Sequence, residues 1–447
     1  MSVDKDVLIA EAADVRQWAS GQPDPEMTVS LLTSAAEFDA LQAEYDELLA
    51  HSEARVFQTF EWQRTWWKHF GEGYPRLQLY FILVRVGSVL IGVAPLFLER
   101  VAVLGPLRYM RLAFLGRGPS DYLDIIARRG SEPIVVAEVS RYIADHRSAF
   151  DVLLLEDVSD SSPAGLLLYE ALCSRGLAGD RFLSDYCPRM QLPASWETTV
   201  KSFPPSHRNR LLKGFAKVFE NFEARYERVH DPAMVQAAMD DFIRIHQKRW
   251  TEVGYRGVFG EERVDRFHRD VAPLLMGKGS LLMAFLRVGG ERVVGDYGLL
   301  FRGVFSTYLG GATGGPDFLR HSPGLVVLMS IMKECIAEGV GVFDFMRGTE
   351  RYKYGFGAVN VSNWTAILFS RPGRKGPLLH RAALVREAIV RRADHEWIHL
   401  QFHARKNGFP SVEFAKYLLN RIGVLVTDGW QKLRTPEKSI AIAKEQE

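Results

Sequence analysis

A dense group of ionisable side chains lies in the segment DFMRGTERYKYGFG at residues 344–357. The apolar run VFDFM at 342–346 predicts a buried strand that ends inside this segment. Loops at strand ends often carry function, because the strand fixes the backbone while the side chains remain exposed. We therefore predict a site here, although a surface ion-pair network that caps the strand would use the same residue types. The members are Asp344, Arg347, Glu350, Arg351, Tyr352 and Lys353.

A glycine pair followed by a helix start forms a second group. Pro323 suits a first helical turn because its missing N–H would have no intrahelical partner there. The free N–H groups and the positive dipole end of such a turn favour a phosphate or pyrophosphate, and glycines let a ligand approach the backbone. An ordinary cap and turn would use the same residues. The members are Tyr308, Gly310, Gly311, His321, Ser322, Gly324 and Leu325.

Five further polar residues are candidates on their own. His246 and Arg249 lie about one turn apart on a predicted helix and could line a groove, while the alternative for His246 is a core-edge histidine paired with a carboxylate. Asp121 and Tyr122 form a turn that either contacts a ligand or braces a domain interface. Asp296 lies in an apolar strand, where burial requires a partner, so we expect a structural hydrogen bond.

The sequence also contains a His-Glu-x-x-His motif at residues 395–399. On a helix, His395 and His399 share a face and could bind zinc, with Glu396 as the base of a hydrolase. Several arginines and a lysine flank the motif and oppose a dication. A short motif with two free positions also arises by chance. We therefore expect no metal and favour an amphipathic docking helix.

The composition is that of an ordinary globular protein, with 447 residues that are 47% hydrophobic and 25% charged. A formal net charge of +2 argues against general nucleic-acid binding. The charge is uneven, because residues 1–50 carry −9 and residues 371–447 carry +7. The basic C-terminal segment predicts either a solvated face or peripheral contact with an anionic membrane surface.

Cysteine usage and the N-terminus favour a cytoplasmic protein. The three cysteines are scattered, which predicts neither a disulfide framework nor a thiolate zinc site. The acidic N-terminus lacks the basic-then-apolar pattern of a signal peptide. The apolar stretch at 79–98 is long enough for a membrane span, but Arg85 and Pro95 interrupt it. Its central Val-Gly-Ser favours two strands and a tight turn.

One pattern occurs twice in the chain. LVRVGSVLIGVAPLFL at 83–98 resembles FLRVGGERVVGDYGLLF at 285–301, and Gly92 aligns with Gly295. We therefore predict an α/β (α+β) fold of two tandem domains, each a mixed central sheet flanked by helices. The predicted segments are a first domain at 28–192, a linker and basic helix at 193–218, a second domain at 219–370, a basic helical extension at 371–435 and a disordered tail at 436–447.

The order of elements and several motifs together resemble the GNAT acyltransferases. Within them, the chain looks like the CelD type of acetyltransferase associated with cellulose and exopolysaccharide biosynthesis, and the related Fem-type aminoacyltransferases share the double-GNAT arrangement. The resemblance is strongest over 203–370, and its most distinctive spacing runs from Asp344 through Gly348 to Lys353. The motifs that carry it are IHQKRW at 245–250, SPG at 322–324 and FDFMRGTERYKYGFG at 343–357.

The resemblance implies a catalytic second domain with an acyl donor and an acceptor, usually an amine. The donor, acetyl-CoA or another acyl-CoA, would lie at the glycine pair, at the helix start and at Lys353. Glu350 is the expected base, and Tyr308 or Tyr352 would return a proton to the leaving thiolate. The residues expected to bind the acceptor or its charges are Asp121, Tyr122, His246, Arg249, Asp344 and Arg347.

The chain departs from the common GNAT pyrophosphate loop, Arg/Gln-x-x-Gly-x-Gly/Ala, because residues 320–325 are RHSPGL. An acyl-carrier protein or an aminoacyl-tRNA therefore stays open as the donor. The leading hypothesis is an N-acyltransferase, with acetyl transfer favoured, in cell-surface polysaccharide or envelope metabolism. The alternatives are a Fem-like transferase that uses aminoacyl-tRNA, a non-catalytic assembly factor that docks at the membrane through its basic C-terminal helices, and the zinc hydrolase.

Overall fold

The computed structural model describes residues 26–102, 108–252 and 256–370, without the side chains of residues 249, 250 and 252. The extension predicted at 371–435, the tail predicted at 436–447 and the His-Glu-x-x-His motif lie outside the described residues.

The first half of the described chain is a sheet with helices on both faces. Its strands are β1 (Met27–Leu32), β2 (Leu77–Val86), β3 (Val89–Ala102), β4 (Arg108–Phe114), β5 (Ile126–Ala127), β6 (Val152–Ser159) and β7 (Ala178–Gln191). Its helices are α1 (Ala35–Ala40), α2 (Gln42–Ala50), α3 (Phe60–Trp66), α4 (Glu132–Asp145) and α5 (Pro163–Ser174). Helix α4 shows the pattern that docks them, because Val135, Val139 and Ile143 recur every fourth residue and are all buried.

The second half repeats this order. Its strands are β8 (Arg225–Val229), β9 (Leu281–Val288), β10 (Glu291–Phe301), β11 (Val304–Ala312), β12 (Val342–Asp344) and β13 (Val359–Phe369). Its helices are α6 (Trp196–Ser202), α7 (Pro205–Asn221), α8 (Val235–Glu252), α9 (Glu262–Gly277), α10 (Pro316–Leu319), α11 (Pro323–Ala337) and α12 (Arg351–Tyr354). The segment predicted as a linker and basic helix, 193–218, holds α6 and most of α7.

The two halves join into one sheet of the described residues by exchanging their last strands. The strand order is β1-β2-β3-β4-β6-β13-β7-β12-β11-β10-β9-β8, with β5 paired to β3. The last strand of the second half, β13, pairs with β6 of the first half, and the last strand of the first half, β7, pairs with β12 of the second. β13 and β7 pair with each other at the centre. The predicted mixed α/β architecture with flanking helices is confirmed.

The repeated sequence pattern forms two equivalent hairpins, β2–β3 and β9–β10. Both contain a register shift at the same place: Val84 pairs with Gly92 but Arg85 pairs with Leu90, and the second hairpin skips one residue between Arg292 and Val294. Each shift is a bulge, which bends the strands and increases their twist. The stretch at 79–98 is therefore a hairpin, as predicted. Among the described residues, no helix is both long and apolar enough to cross a membrane.

Candidate active site

The larger of the two main cavities in the described residues opens where two parallel strands separate. β11 and β12 pair only through Val304–Ser306 and Val342–Asp344. The chain after β12 then follows β7, since Phe345 N donates to Pro188 O at 2.9 Å. Residues 307–312 of β11 consequently have no strand neighbour on that side within the described chain. A cavity of about 1010 Å³, which we call the main cavity, lies in the gap beside their backbone N–H and C=O groups.

A buried carboxyl group borders the main cavity. Asp296 on β10 is 2% exposed, and its Oδ2 accepts a hydrogen bond from Thr307 Oγ1 at 2.6 Å. Its Oδ1 has no hydrogen-bond partner among the described residues. Burial raises the pKa of Asp296 to about 7, while the Thr307 hydrogen bond acts in the opposite direction. A carboxyl with this pKa is about half ionised at neutral pH, which suits proton transfer.

The strand register places a glycine, and so no side chain, opposite this carboxyl. Asp296 pairs with Gly310 across the β10–β11 ladder. A Cβ at Gly310 would lie 3.6 Å from Asp296 Oδ2, so any larger side chain at this position would occupy the space next to the carboxylate. The ladder shifts just after this pair, between Tyr297 and Gly298. Such bulges are frequent next to active sites because they redirect a side chain.

The start of α11 forms the other end of the main cavity. Ser322 adopts a left-handed backbone conformation with φ 54°, and its side chain makes no capping hydrogen bond. Pro323 has no N–H, and nothing lies within 4 Å of the position that a Cβ of Gly324 would take. The first turn of this 15-residue helix is therefore open to a ligand, and its dipole favours an anion.

An exposed cation lies at the mouth of the main cavity. Arg210 on α7 lines the cavity and has no ion pair with a carboxylate among the described residues. Helix α7 approaches the α11 start closely, because a Cβ at Gly214 would lie 3.0 Å from His321 O. A guanidinium next to an open helix start is a suitable arrangement for phosphate groups.

Lys353 holds the segment between β12 and α12. Its side chain is 3% exposed, and Nζ donates to the carbonyl oxygens of Met346, Arg347 and Gly348 at 3.1, 2.8 and 3.1 Å. The ammonium also pairs with Glu350 at 2.8 Å. Met346 and Gly348 have positive φ angles of 57° and 111°, a backbone conformation that needs such support. This geometry gives Lys353 a structural role at the wall of the main cavity, and the phosphate-binding role expected from the sequence stays a prediction.

Arg347 ties this segment to the first half of the chain. Its Nε donates to Asp121 Oδ1 at 2.8 Å, its backbone N donates to Asp121 Oδ2 at 3.0 Å, and its Nη2 donates to Ser120 O at 2.7 Å. Asp157 and Asp185 lie 3.6 and 3.9 Å from the guanidinium. These carboxylates hold the pKa of Arg347 well above its usual value against the effect of burial. The predicted cluster around Arg347 is thus an interdomain brace at the cavity wall.

Asp344 extends the brace on the other side of the same segment. Its Oδ2 accepts hydrogen bonds from Tyr122 Oη at 2.7 Å and from Arg189 Nε at 2.6 Å, and its Oδ1 accepts one from Met346 N at 2.8 Å. Asp344 is 1% exposed. Asp344 and Tyr122 border a second cavity and not the main cavity.

The predicted base and proton donors all line the main cavity, with different surroundings. Glu350 has a side chain that is 58% exposed and is paired with Lys353. Tyr308 Oη donates to Pro119 O at 2.6 Å, and burial holds its pKa well above the usual value. Tyr352 is 37% exposed and packs edge-on against Phe345. Glu350 is exposed and ion-paired, and the Tyr308 hydroxyl is already used as a donor, whereas Oδ1 of the buried Asp296 has no hydrogen-bond partner among the described residues.

The other predicted residues are divided between the cavity and the core. Gly310, Gly311, Ser322, Gly324 and Leu325 line the main cavity. His321 lies beside Phe222, and its Nε2 accepts from Arg320 Nε at 3.4 Å. His246 is buried between Phe242 and Phe259, with Gln247 Oε1 3.3 Å from its Nδ1. The Arg249 side chain lies outside the described residues.

Comparison with known proteins found a family model that matches the second half of the chain and solved structures with a similar fold. Residues 205–354 match the family model of the acetyltransferase (GNAT) domain. The crystal structure of FemX matches with a TM-score of 0.52 and 12% identity, over 76% of this chain and 96% of that chain. No curated protein matches the chain. The chain therefore carries a GNAT-type acyltransferase domain, and its described residues share the overall fold of FemX.

Two further solved structures have lower scores. The C-terminal domain (DUF2156) of a putative lysylphosphatidylglycerol synthetase from Agrobacterium fabrum matches with a TM-score of 0.47 and 13% identity, over 79% of this chain and 97% of that chain. A tandem GNAT protein from the clavulanic acid biosynthesis pathway matches with a TM-score of 0.40 and 12% identity, over 78% of this chain and 100% of that chain.

Two residues of the main cavity have positions that the sequence did not indicate. Asp296 was expected to form only a structural hydrogen bond, and its bond to Thr307 exists, but the carboxyl also faces the cavity with one oxygen free among the described residues. Arg210 belongs to the basic run HRNRLLKGFAK at 207–217, which lies in the segment predicted as a linker and basic helix. The sequence signals that could have indicated these positions are an aspartate inside an apolar strand, for Asp296, and a basic helix that precedes the second domain, for Arg210.

Proposed function

We propose that the protein is an acyl-CoA-dependent N-acyltransferase with Asp296 as its general base. The observation that carries this proposal is the carboxyl of Asp296, which borders the cavity at the strand separation with a pKa near 7 and a free Oδ1. An amine must lose its proton to attack a carbonyl carbon and form a stable amide. Oδ1 of the ionised carboxyl would accept that proton.

The remaining parts of the cavity suit the other requirements of acyl transfer. An acyl-CoA donor supplies the acyl carbon as a thioester: the C–N bond to the amine forms, the C–S bond breaks, and CoA leaves as a thiolate, which takes up a proton. The open first turn of α11 and Arg210 would hold the phosphate groups of the donor. Backbone N–H groups of β11 beyond Ser306, on the side without a strand neighbour in the described chain, are available to stabilise the oxyanion.

Acetyl transfer to an amine in cell-surface polysaccharide or envelope metabolism is the finer part of the proposal. It is supported by the resemblance of the segments 322–324 and 343–357 to the CelD type. The second candidate is an aminoacyl transferase, which is favoured by the fold shared with FemX. A cytoplasmic location is proposed from the cysteine usage, and peripheral membrane contact is proposed from the basic C-terminal residues.

Calorimetric titration with acetyl-CoA and with a longer acyl-CoA tests the donor site. We expect the full-length protein to bind one of them, and Arg210→Gln to weaken that binding by about tenfold, as loss of one charged hydrogen bond predicts. Lys217→Gln is the matched control, since Lys217 is an exposed residue of the same helix that does not line the cavity. Absence of binding by either thioester would contradict the acyl-CoA proposal and favour an aminoacyl-tRNA, a carrier protein or a non-catalytic role.

The base is tested separately by amine acetylation. Asp296→Asn should bind the donor normally but lose activity by at least about a hundredfold, the lower range for general base catalysis. Glu350→Gln is the comparison, because Glu350 is the base expected from the sequence. Retained activity in Asp296→Asn together with loss in Glu350→Gln would assign the base to Glu350 instead.

A further inference from the structure

A second cavity lies between the two halves of the chain, on the other side of the segments that form the main cavity. Its volume is about 600 Å³. Neighbouring residues of the same segments border different cavities. Tyr122 and Ser306 border the second cavity, whereas Asp121 and Thr307 border the main cavity. None of the chemistry proposed above uses this second cavity.

Two arginines approach the same aromatic ring at one end of the second cavity. The guanidinium carbon of Arg55 lies 4.3 Å from the ring centroid of Tyr122, and that of Arg189 lies 4.8 Å from it. Arg55 donates from Nη2 to Ser161 Oγ at 2.7 Å and to Ser159 Oγ at 3.5 Å. Arg55 forms no ion pair among the described residues, and the carboxylates of Asp344 and Asp124 act on it only as nearby charges. Burial, and then the charge of Arg189, lower the pKa of Arg55.

Arg189 has a partner for only part of its guanidinium. Nε donates to Asp344 Oδ2 at 2.6 Å, but Nη2 is buried and has no hydrogen-bond partner among the described residues. The same oxygen of Asp344 also accepts from Tyr122 Oη. One carboxylate, already used by two donors, therefore faces two like charges, an arrangement that is costly in a poorly solvated cavity unless an anion is bound.

The other charged groups of the cavity offset this pair only in part: Asp344 and Asp124 act to raise the pKa of Arg55, but burial and the charge of Arg189 outweigh them. Asp124 accepts hydrogen bonds from Ser162 Oγ and Ile125 N, and burial raises its pKa to about 6. Glu53 is paired with Arg129, and Glu132 lies in the first turn of α4. A third arginine, Arg302, donates to the carbonyl oxygens of Ser52 and Ala54 and has no ion pair among the described residues.

We propose that this end of the second cavity binds the phosphate group of a small phosphorylated molecule. Two guanidiniums, one of them paired at Nε with Asp344, and the hydroxyls of Ser159 and Ser161 offer donors for several oxygens and a net positive charge. A carboxylate has two oxygens and one charge, and a single guanidinium satisfies it. The start of the 12-residue helix α5, next to Ser161, adds a favourable dipole. The volume lies within the range of small-molecule pockets, which leaves room for the rest of the ligand.

The test is calorimetric titration of the full-length protein with inorganic phosphate, glucose 1-phosphate and acetate. Wild type should bind both phosphate compounds at least about tenfold more tightly than acetate, and Arg55→Met should lose that binding by a similar factor. Arg210→Gln should retain phosphate binding, which separates this site from the donor site of the main cavity. Arg55→Met should still bind acyl-CoA if the proposed function is correct, so each proposal can fail without the other.

Thermal unfolding in buffer without phosphate provides a second measurement. Because Arg55 carries an unbalanced charge, Arg55→Met should be at least as stable as wild type, whereas an arginine with a purely structural role would lower the melting temperature when replaced. The control variant is Arg141→Met, which changes an exposed arginine paired with Glu138 on α4 and should bind phosphate like wild type.

Should Arg55→Met unfold, Arg55→Lys keeps the charge and should bind phosphate more weakly than wild type. Equal binding by wild type and the Arg55 variants, equal affinity for acetate, or no phosphate binding by wild type would overturn the proposal.

Discussion

At the scale of single residues, the acyl transfer proposed for the main cavity depends on how one carboxyl is solvated. Asp296 has a raised pKa because it is buried, and the Thr307 hydroxyl limits the rise by donating to Oδ2. By comparison, the side chain of Glu350 is 58% exposed, and its charge is already paired with that of Lys353. The two carboxyls lie at the same cavity, but only Asp296 combines burial with a free oxygen among the described residues.

The hydrogen bond from Thr307 gives a prediction for the pH dependence of activity. A base works when it is ionised, so wild-type kcat/KM should rise with pH through about 7. Thr307→Val removes a bond that lowers the pKa of Asp296, and the rising limb should therefore move to higher pH. A hydrogen bond to a charged group is worth about 1.5–3 kcal/mol, which corresponds to a shift of about one to two pH units.

The measurement is kcat/KM for amine acetylation between pH 5.5 and about 9, a window chosen to include the pKa expected for Asp296. Thr313→Val is the control, because Thr313 Oγ1 donates to Val293 O and not to Asp296. A profile that stays in place in Thr307→Val would show that Asp296 does not govern the rising limb.

At the scale of elements, the segment between β12 and α12 has to be held in a backbone conformation with two positive φ angles. The lysine that the family motif contains is the residue that holds it, through three carbonyl oxygens. Arg347 then fixes the same segment to Asp121 in the first half. The motif that carries the sequence resemblance thus builds the cavity wall, while the ionisable group best suited for proton transfer comes from β10.

Replacement of Lys353 separates a structural role from a ligand-binding role. In Lys353→Met, one buried and two partly buried carbonyl oxygens lose their donor, and the free energy of unfolding should fall by on the order of 3 kcal/mol. Denaturant unfolding measures this change, with Lys248→Met as a control at an exposed lysine. A variant of unchanged stability that binds acyl-CoA much more weakly would instead support the phosphate-binding role expected from the sequence.

The sequence predicted local elements well and non-local pairing poorly. The Val-Gly turns placed the hairpins β2–β3 and β9–β10, because the turn chemistry and the alternation of side chains are local signals. The exchange of β7 and β13 depends on pairing between strands that are far apart in the chain, and no local pattern encodes it. Asp296 was identified as buried, but its position opposite Gly310 at a cavity follows only from strand register and separation.

At the scale of the whole molecule, the two halves share an aromatic core that contains a buried histidine. His268 of α9 is fully buried, and its ring centroid lies 6.1 Å from that of Trp62 in the first half and 5.6 Å from that of Tyr297 in the second. Neither ring nitrogen has a hydrogen-bond partner among the described residues. Burial lowers the pKa of His268 to about 3, so the histidine is neutral in the folded protein at ordinary pH.

This histidine should make the stability of the whole molecule sensitive to acid. In the unfolded chain a histidine titrates near 6.5, so between about pH 6.5 and 3 the unfolded state binds a proton that the folded state does not. The contribution of His268 to stability is therefore complete above pH 6.5 and decreases as the pH falls, by up to about 1.4 kcal/mol per pH unit.

His268→Phe removes the titrating group without loss of a hydrogen bond seen among the described residues and keeps a ring at the contact. The fall in melting temperature between pH 7 and pH 4.5 should be smaller in this variant than in wild type, and His230→Gln, which changes an exposed histidine, should behave like wild type. If His268→Phe loses as much stability on acidification as wild type does, protonation of other groups, and not of the histidine between the halves, limits the acid stability of the fold.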